Sequence, residues 1–281
     1  MIPIRDTLRS RRFPTVTVAL IIVNLLVFLY QGYLGTTEPV LGDWTEERLA
    51  WEAEGHDAPP IYNPYYGTGR RLPGYSVLRY AIPAGDVFIT RYGLIPAELL
   101  GGIDLPPTIG IPLWLTLFTS IFMHGGILHL LGNMLYLWIF GDNVEDAMGP
   151  GRFLAFYLVC GLLATLAQIA LGVGSSVPIV GASGAIAGVL AAYFMLYPQA
   201  RVLTLVPIFF FLRLISIPAV FLLGFWFILQ VINGAGSIGS GGGVAWFAHI
   251  GGFIAGAILV FPFRRRGVPV TLWRMFRRGR S

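Results

Sequence analysis

Residues 180–188 read VGASGAIAG, placing one hydroxyl, Ser183, among glycines and alanines at the head of an apolar stretch. Gly181, Ser183, Gly184, Ala187, Gly188 and Ala191 recur at spacings of three and four, so on a helix they share a small-residue face. A second stretch, VAWFAHIGGFIAG at 244–256, repeats the device with Ala248, Gly252, Ala255 and Gly256. Such faces let two helix backbones approach closely in a membrane. One face carries a serine and the other is followed by an imidazole, His249. Taken alone, Ser183 also reads as one more small packing residue; the coincidence with His249 is what raises a chemical reading.

The setting is a membrane. Of 281 residues, 56% are hydrophobic and 12% charged, and the mean hydropathy is +0.72, well outside the balance of soluble domains. Apolar windows of about 20 residues cross a bilayer. They fall at 15–34, 127–141 with its flanks, 152–173, 183–198, 215–233 and 244–263, predicting six spans in an all-α membrane protein. The first is long for a signal peptide, lacks a clean cleavage site and is followed by further spans, so it reads as a retained span.

Charge sets the expected orientation. All 19 basic residues are arginines, and 14 of them lie in the N-terminal tail 1–14, the connectors at Arg152, Arg201 and Arg213, and the C-terminal tail 264–281. These segments are expected on the cytoplasmic side, with the tails against anionic lipid. Residues 35–113 hold ten acids against five arginines, which predicts a long extracytoplasmic first loop. No soluble basic domain exists to bind nucleic acid. Within the loop, WTEERLAWEAEG is a short acidic helix candidate, and Trp51, Tyr62, Tyr65, Tyr66 and Trp114 suit the headgroup level. The connectors GDNVEDAMGPGR, GVGSSVPIV and NGAGSIGSGGG are short, the last reading as a glycine hinge. The single cysteine, Cys160, excludes an intrachain disulfide and a cysteine-rich metal site, and reads as a packing residue.

Ionisable groups inside spans are costly and therefore informative. His249 lies in the sixth span, His129 and Asn133 in the second, and His124 at that span's mouth; no Asp, Glu or Lys falls inside the predicted spans. Histidine can ligate zinc, but His124 and His129 are five apart, off the usual i, i+4 spacing, and no carboxylate completes a site. No metal or organic cofactor is expected. A neutral imidazole beside Ser183 can take its proton and later return it to a leaving amine. With no carboxylate available in the membrane the pair would be a dyad. His129 and Asn133, at i and i+4, can present two N–H donors to one oxygen; equally, they suit an interhelical hydrogen bond.

GASG at 181–184, AHIGGFIAG at 248–256 and HGGILHLLGN at 124–133, with GLIPAELLGG and GDNVEDAMGPGRF between and around them, resemble the rhomboid intramembrane serine proteases, most closely the prokaryotic six-span type. The resemblance implies a six-transmembrane-helix rhomboid-like bundle over 15–263. It implies Ser183 as nucleophile and His249 as general base, with His129, Asn133 and the Ser183 backbone as the oxyanion hole. It assigns His124 a structural role and Gly181, Gly184, Gly252 and Gly256 to substrate access and helix packing. The implied reaction is hydrolysis of single-span membrane proteins at small residues near the outer face. The implied location is the prokaryotic plasma membrane, with both termini cytoplasmic and substrate entering past the second and fifth spans.

The sequence departs from the family pattern at three places. Trp114 is followed by Leu115 where some members have arginine. Ala187 stands where some members stack a tyrosine on the histidine, leaving Trp246, Phe247 or an aromatic from another span to orient His249. The stretch 38–83 is longer than usual. A non-catalytic rhomboid-like protein that binds membrane clients is the alternative reading. A channel or transporter is disfavoured, because no charged pathway or pair of broken spans is visible.

Overall fold

A computed structural model describes residues 1–37, 40–42, 70–71, 80–102, 109–172, 175, 177–208, 211–237 and 244–272. Each apolar window holds a helix: α1 (Thr15–Gly35), then, after the short α2 (Ala84–Tyr92) and α3 (Pro96–Gly101), α4 (Ile127–Met148), α5 (Pro150–Leu171), α6 (Ser183–Leu196), α7 (Ala219–Gly236) and α8 (Trp246–Phe263). Helices α1, α5, α7 and α8 are each long and apolar enough to cross a membrane. Helix α4 joins them when taken with the run Leu113–Phe122, from which it bends by 79°. The protein is therefore a mostly helical multi-pass membrane protein. Helix α6 is apolar but only 14 residues long, and almost all of it is buried.

The centre of the bundle is the contact of α8 with α6 and α5. The small-residue faces meet as expected: a Cβ on Gly252 would overlap the carbonyl oxygen of Gly184, and one on Gly256 that of Gly188. Toward α5, a Cβ on Gly184 would lie 2.6 Å from Ala164 Cβ, and one on Gly188 2.6 Å from Cys160. Cys160 is thus a packing residue. Without side chains at the crossing, backbone dispersion contacts supply the attraction that water would otherwise provide.

Three expectations are corrected. The connector at 141–152 is almost entirely helical: α4 continues through Met148, and only Gly149, at φ +87°, separates it from α5. The extension carries Glu145 into the interior, where it is 4% exposed. Its carboxylate accepts from Thr15 Oγ1 (3.2 Å), Val16 N–H (3.0 Å), Thr17 N–H (2.8 Å) and Thr17 Oγ1 (2.8 Å). Proline 14 precedes α1 and offers no side-chain cap, so a carboxylate from α4 satisfies the orphan N–H groups and faces the positive end of the helix dipole. A cap of this kind is worth about 1–2 kcal/mol.

Second, short strands accompany the mostly helical bundle. Strand β1 (Ile2–Asp6), inside the expected N-terminal tail, pairs antiparallel with β5 (Arg201–Ile208), which pairs with β6 (Phe211–Pro218) from Arg201↔Pro218 to Ile208↔Phe211. Third, the fifth helix consequently starts at Ala219 instead of 215. Residues 211–218 are apolar enough to extend a hydropathy window, but pair as a strand. The sheet is fastened to the bundle through Asp6, whose carboxylate accepts from Tyr193 Oη of α6 and from Asn143 Nδ2 of α4. A second small antiparallel sheet has the order β2 (Val40–Gly42), β4 (Tyr80–Ile82), β3 (Arg70–Arg71).

The expected helix at 44–55 and the aromatics Trp51, Tyr62, Tyr65 and Tyr66 lie outside the described residues, as do 238–243 of the glycine connector. Trp114 is exposed. The start of the C-terminal tail packs back on the bundle, with Arg265 N–H donating to Ala147 O at 2.9 Å.

Candidate active site

The chain entering α6 is held from two directions. Leu94 and Ile179 exchange backbone hydrogen bonds of 3.1 and 2.7 Å, and Gly181 N–H donates to Ser120 O at 2.9 Å. Gly181 sits at φ +124°, a conformation side-chain-bearing residues rarely adopt. Space demands glycine there too: its Cβ would stand 2.7 Å from His129 Cε1, 2.8 Å from His129 Nε2 and 3.7 Å from Ser183 Oγ. That missing methyl leaves an open point between the His129 ring and the serine hydroxyl.

Ser183 is the first residue of α6, where backbone N–H groups have no intrahelical acceptor. Its Oγ lies 2.8 Å from His249 Nε2 of α8. Gly252, one turn past the histidine, allows this: α8 lies directly against the Gly184 backbone. The start of α8 is also tied to α5, because Ala248 N–H donates to Gln168 Oε1 at 3.1 Å. The other imidazole nitrogen, Nδ1, lies 2.8 Å from Gln230 Oε1 of α7, and Gln230 Nε2 donates to Trp226 O at 3.0 Å. The imidazole is flanked by Trp226 (ring centroids 5.9 Å apart) and edge-on by Trp246 (6.1 Å). Of the aromatics expected to stand in for a tyrosine at 187, Trp246 and one from another span, Trp226, reach the ring. Phe247 instead faces Gly234, and Ala187 is fully buried.

The other predicted residues fall as follows. His129 lies against Gly181, and Asn133, one turn further along α4, is buried, its Nδ2 donor without a hydrogen-bond partner among the described residues. His124 is fully buried and stands edge-on to His129 at 5.1 Å. Gly184, Gly252 and Gly256 form the helix crossing. A small pocket opens onto the serine, lined by Ser120, Ile121, Thr165, Gly181 and Ala248 among others. Among the described residues no three His, Cys, Asp or Glu side chains gather into a metal-binding group.

Chemically, the arrangement sets a hydroxyl against an imidazole nitrogen at proton-transfer distance, with a small pocket opening onto the serine. The sequence reading missed Gln230 and Gln168. Its survey of spans considered ionisable groups, whereas amide side chains inside apolar helices also find specific partners and were the available signal.

Comparison with known proteins agrees with this layout. A family model described as Rhomboid domain matches residues 112–266. Over 153 residues the chain is 38% identical to rhomboid protease GluP of Bacillus subtilis, covering 53% of this chain and 27% of that protein. It is 36% identical over 95 residues to the mitochondrial presenilin-associated rhomboid-like protein of Bos taurus, covering 33% of this chain and 25% of the relative. It is 32% identical over 155 residues to mitochondrial rhomboid protein 1 of Saccharomyces cerevisiae, covering 51% and 40% respectively. The chain thus matches well under half the length of each of these relatives. The family match spans more than half of the chain and takes in α4 to α8 with both Ser183 and His249, so the chain belongs to the rhomboid family.

Proposed function

We propose that this protein is an intramembrane serine endopeptidase that hydrolyses peptide bonds of single-span membrane proteins through an acyl-enzyme. The observation that carries the reading is the 2.8 Å contact between Ser183 Oγ and His249 Nε2. In this reading His249 takes the hydroxyl proton as Ser183 attacks the scissile carbonyl, then returns it to the leaving amine. The developing oxyanion is held by Asn133 Nδ2, a donor without a hydrogen-bond partner among the described residues, by His129 and by the Ser183 backbone N–H. Water then frees the acyl group, entering from the outer side past His129, Asn133 and His249.

Six crossings are proposed, α6 being the fourth. At about 1.5 Å per residue its 14 residues span roughly 21 Å, against a hydrocarbon core of about 30 Å. With its C-terminal end at one face, Ser183 sits roughly 9 Å below the other, where a substrate helix can reach it from within the bilayer. The small residues around Ser183 favour an unwound substrate backbone with a small side chain. The arginine-rich tails support cytoplasmic termini in a prokaryotic plasma membrane, with the first loop outside. No metal or cofactor has a part in this chemistry.

The test is fluorophosphonate labelling and cleavage of a single-span reporter by the full chain in liposomes. Wild type is expected to label at Ser183 and cleave, whereas Ser183→Ala and His249→Ala fold but do neither. An unlabelled, inactive wild type that still binds single-span clients would replace the protease reading with a non-catalytic one.

A further inference from the structure

We propose that Gln230 is the positioning residue of the Ser183–His249 pair, occupying the place a carboxylate takes beside the histidine in soluble serine hydrolases. This rests on the protease reading above and adds the group that orients the base.

The amide has one donating and one accepting end, and its neighbours leave no choice about which faces where. Trp226 O, one turn back on α7, can only accept; Gln230 Nε2 therefore points to it, at 3.0 Å. That turns Oε1 toward α8, 2.8 Å from His249 Nδ1. An amide oxygen can only accept, so Nδ1 carries the ring proton. A neutral imidazole then has its lone pair on Nε2, and Ser183, at 2.8 Å, donates to it. The hydrogen bonds run in one direction from Ser183 through His249 and Gln230 to Trp226 O. This is the tautomer general-base chemistry requires.

During attack the hydroxyl proton moves to Nε2 while the Nδ1 proton stays on Nδ1, still donated to Gln230 Oε1, so the same contact serves the imidazole and the imidazolium. Gln230 is 6% exposed on a largely apolar helix. A carboxylate in its place would add a buried charge there, which a membrane interior penalises; an amide fixes the tautomer without one.

The experiment uses full-length protein in proteoliposomes, with kcat and KM measured on a single-span reporter for wild type, Gln230→Leu and Gln230→Glu. Leucine is expected to lower kcat about tenfold, the rate equivalent of one net hydrogen bond, with KM unchanged. Glutamate, which restores an acceptor, is expected to recover most of that loss. Wild-type kcat in the leucine variant overturns the assignment. Nitrogen-15 spectra of histidine-labelled wild type test it without any variant: His249 protonated on Nδ1 supports it, and protonation on Nε2 overturns it. A wild type without Ser183-dependent cleavage removes the protease reading instead, and the tautomer measurement still decides the role of Gln230.

Discussion

Replacing Gly252 with alanine tests whether helix contact, and not the mere presence of serine and histidine, sets the chemistry. The added Cβ would overlap the Gly184 carbonyl oxygen, come within 3.0 Å of its carbon, and stand 3.3 Å from Ala164 Cβ. Backbone lies on one side and a packed methyl on the other, so no flexible side chain can yield. Restoring an ordinary carbon–oxygen contact of about 3.3 Å requires α8 to move away from α6 by roughly 1 Å. His249 is three residues from Gly252 on the same helix and moves with it. The 2.8 Å contact between Ser183 and His249 then stretches beyond the usual limit of about 3.2 Å. Misplacement on that scale can cost about 10² in rate, and the overpacking costs about 1–3 kcal/mol in stability. The assay is reporter cleavage in proteoliposomes alongside thermal unfolding of the purified protein. A folded Gly252→Ala protein that cleaves at the wild-type rate would refute the claim that backbone contact at this glycine holds the two groups in register.

Two further outcomes follow from other parts of the structure. Asn133→Ala should lower kcat by about 10²–10³ with little change in melting temperature, because the lost donor has no hydrogen-bond partner among the described residues; a fall in stability with kcat preserved would make Asn133 structural. Asp6 is held above the ordinary carboxylate range by burial, against the lowering effect of the hydrogen bond from Tyr193. The folded state therefore binds its proton more tightly than the unfolded state. Stability should decline as pH rises from the ordinary carboxylate value through the raised one. Asp6→Asn should flatten that decline, as read by melting temperature against pH in detergent.

Hydropathy located the six apolar helices, five of them to within about four residues at each end, because a window measures summed apolar character; α4 alone runs well past its window, to Met148. Hydropathy failed where apolar sequence serves another purpose. Residues 211–218 are hydrophobic, yet their backbone groups pair with Arg201–Ile208, and that partnership is invisible to a window containing only one strand. At the end of α4 the error ran the other way. The polar run after Gly141 suggested a loop, but Glu145 belongs in a helix because its carboxylate meets the N–H groups of α1, more than a hundred residues earlier in the chain.

The site divides along the same line. Ser183, His249 and the small residues that bring them together were legible in the sequence, since three- and four-residue spacing is a property of each helix alone. Which group meets the far nitrogen of His249 was not. Gln230 sits on a third helix in no motif with either partner, and only the packing of α7 against α8 turns its amide toward the ring. Residue type and local period thus determined the apolar helices and the small-residue faces that carry Ser183 and His249. The fastening of the N-terminal strand, the carboxylate cap on α1 and the orientation of the base were decided by tertiary contact, because each needs a donor and an acceptor whose distance in space has no expression in their distance along the chain.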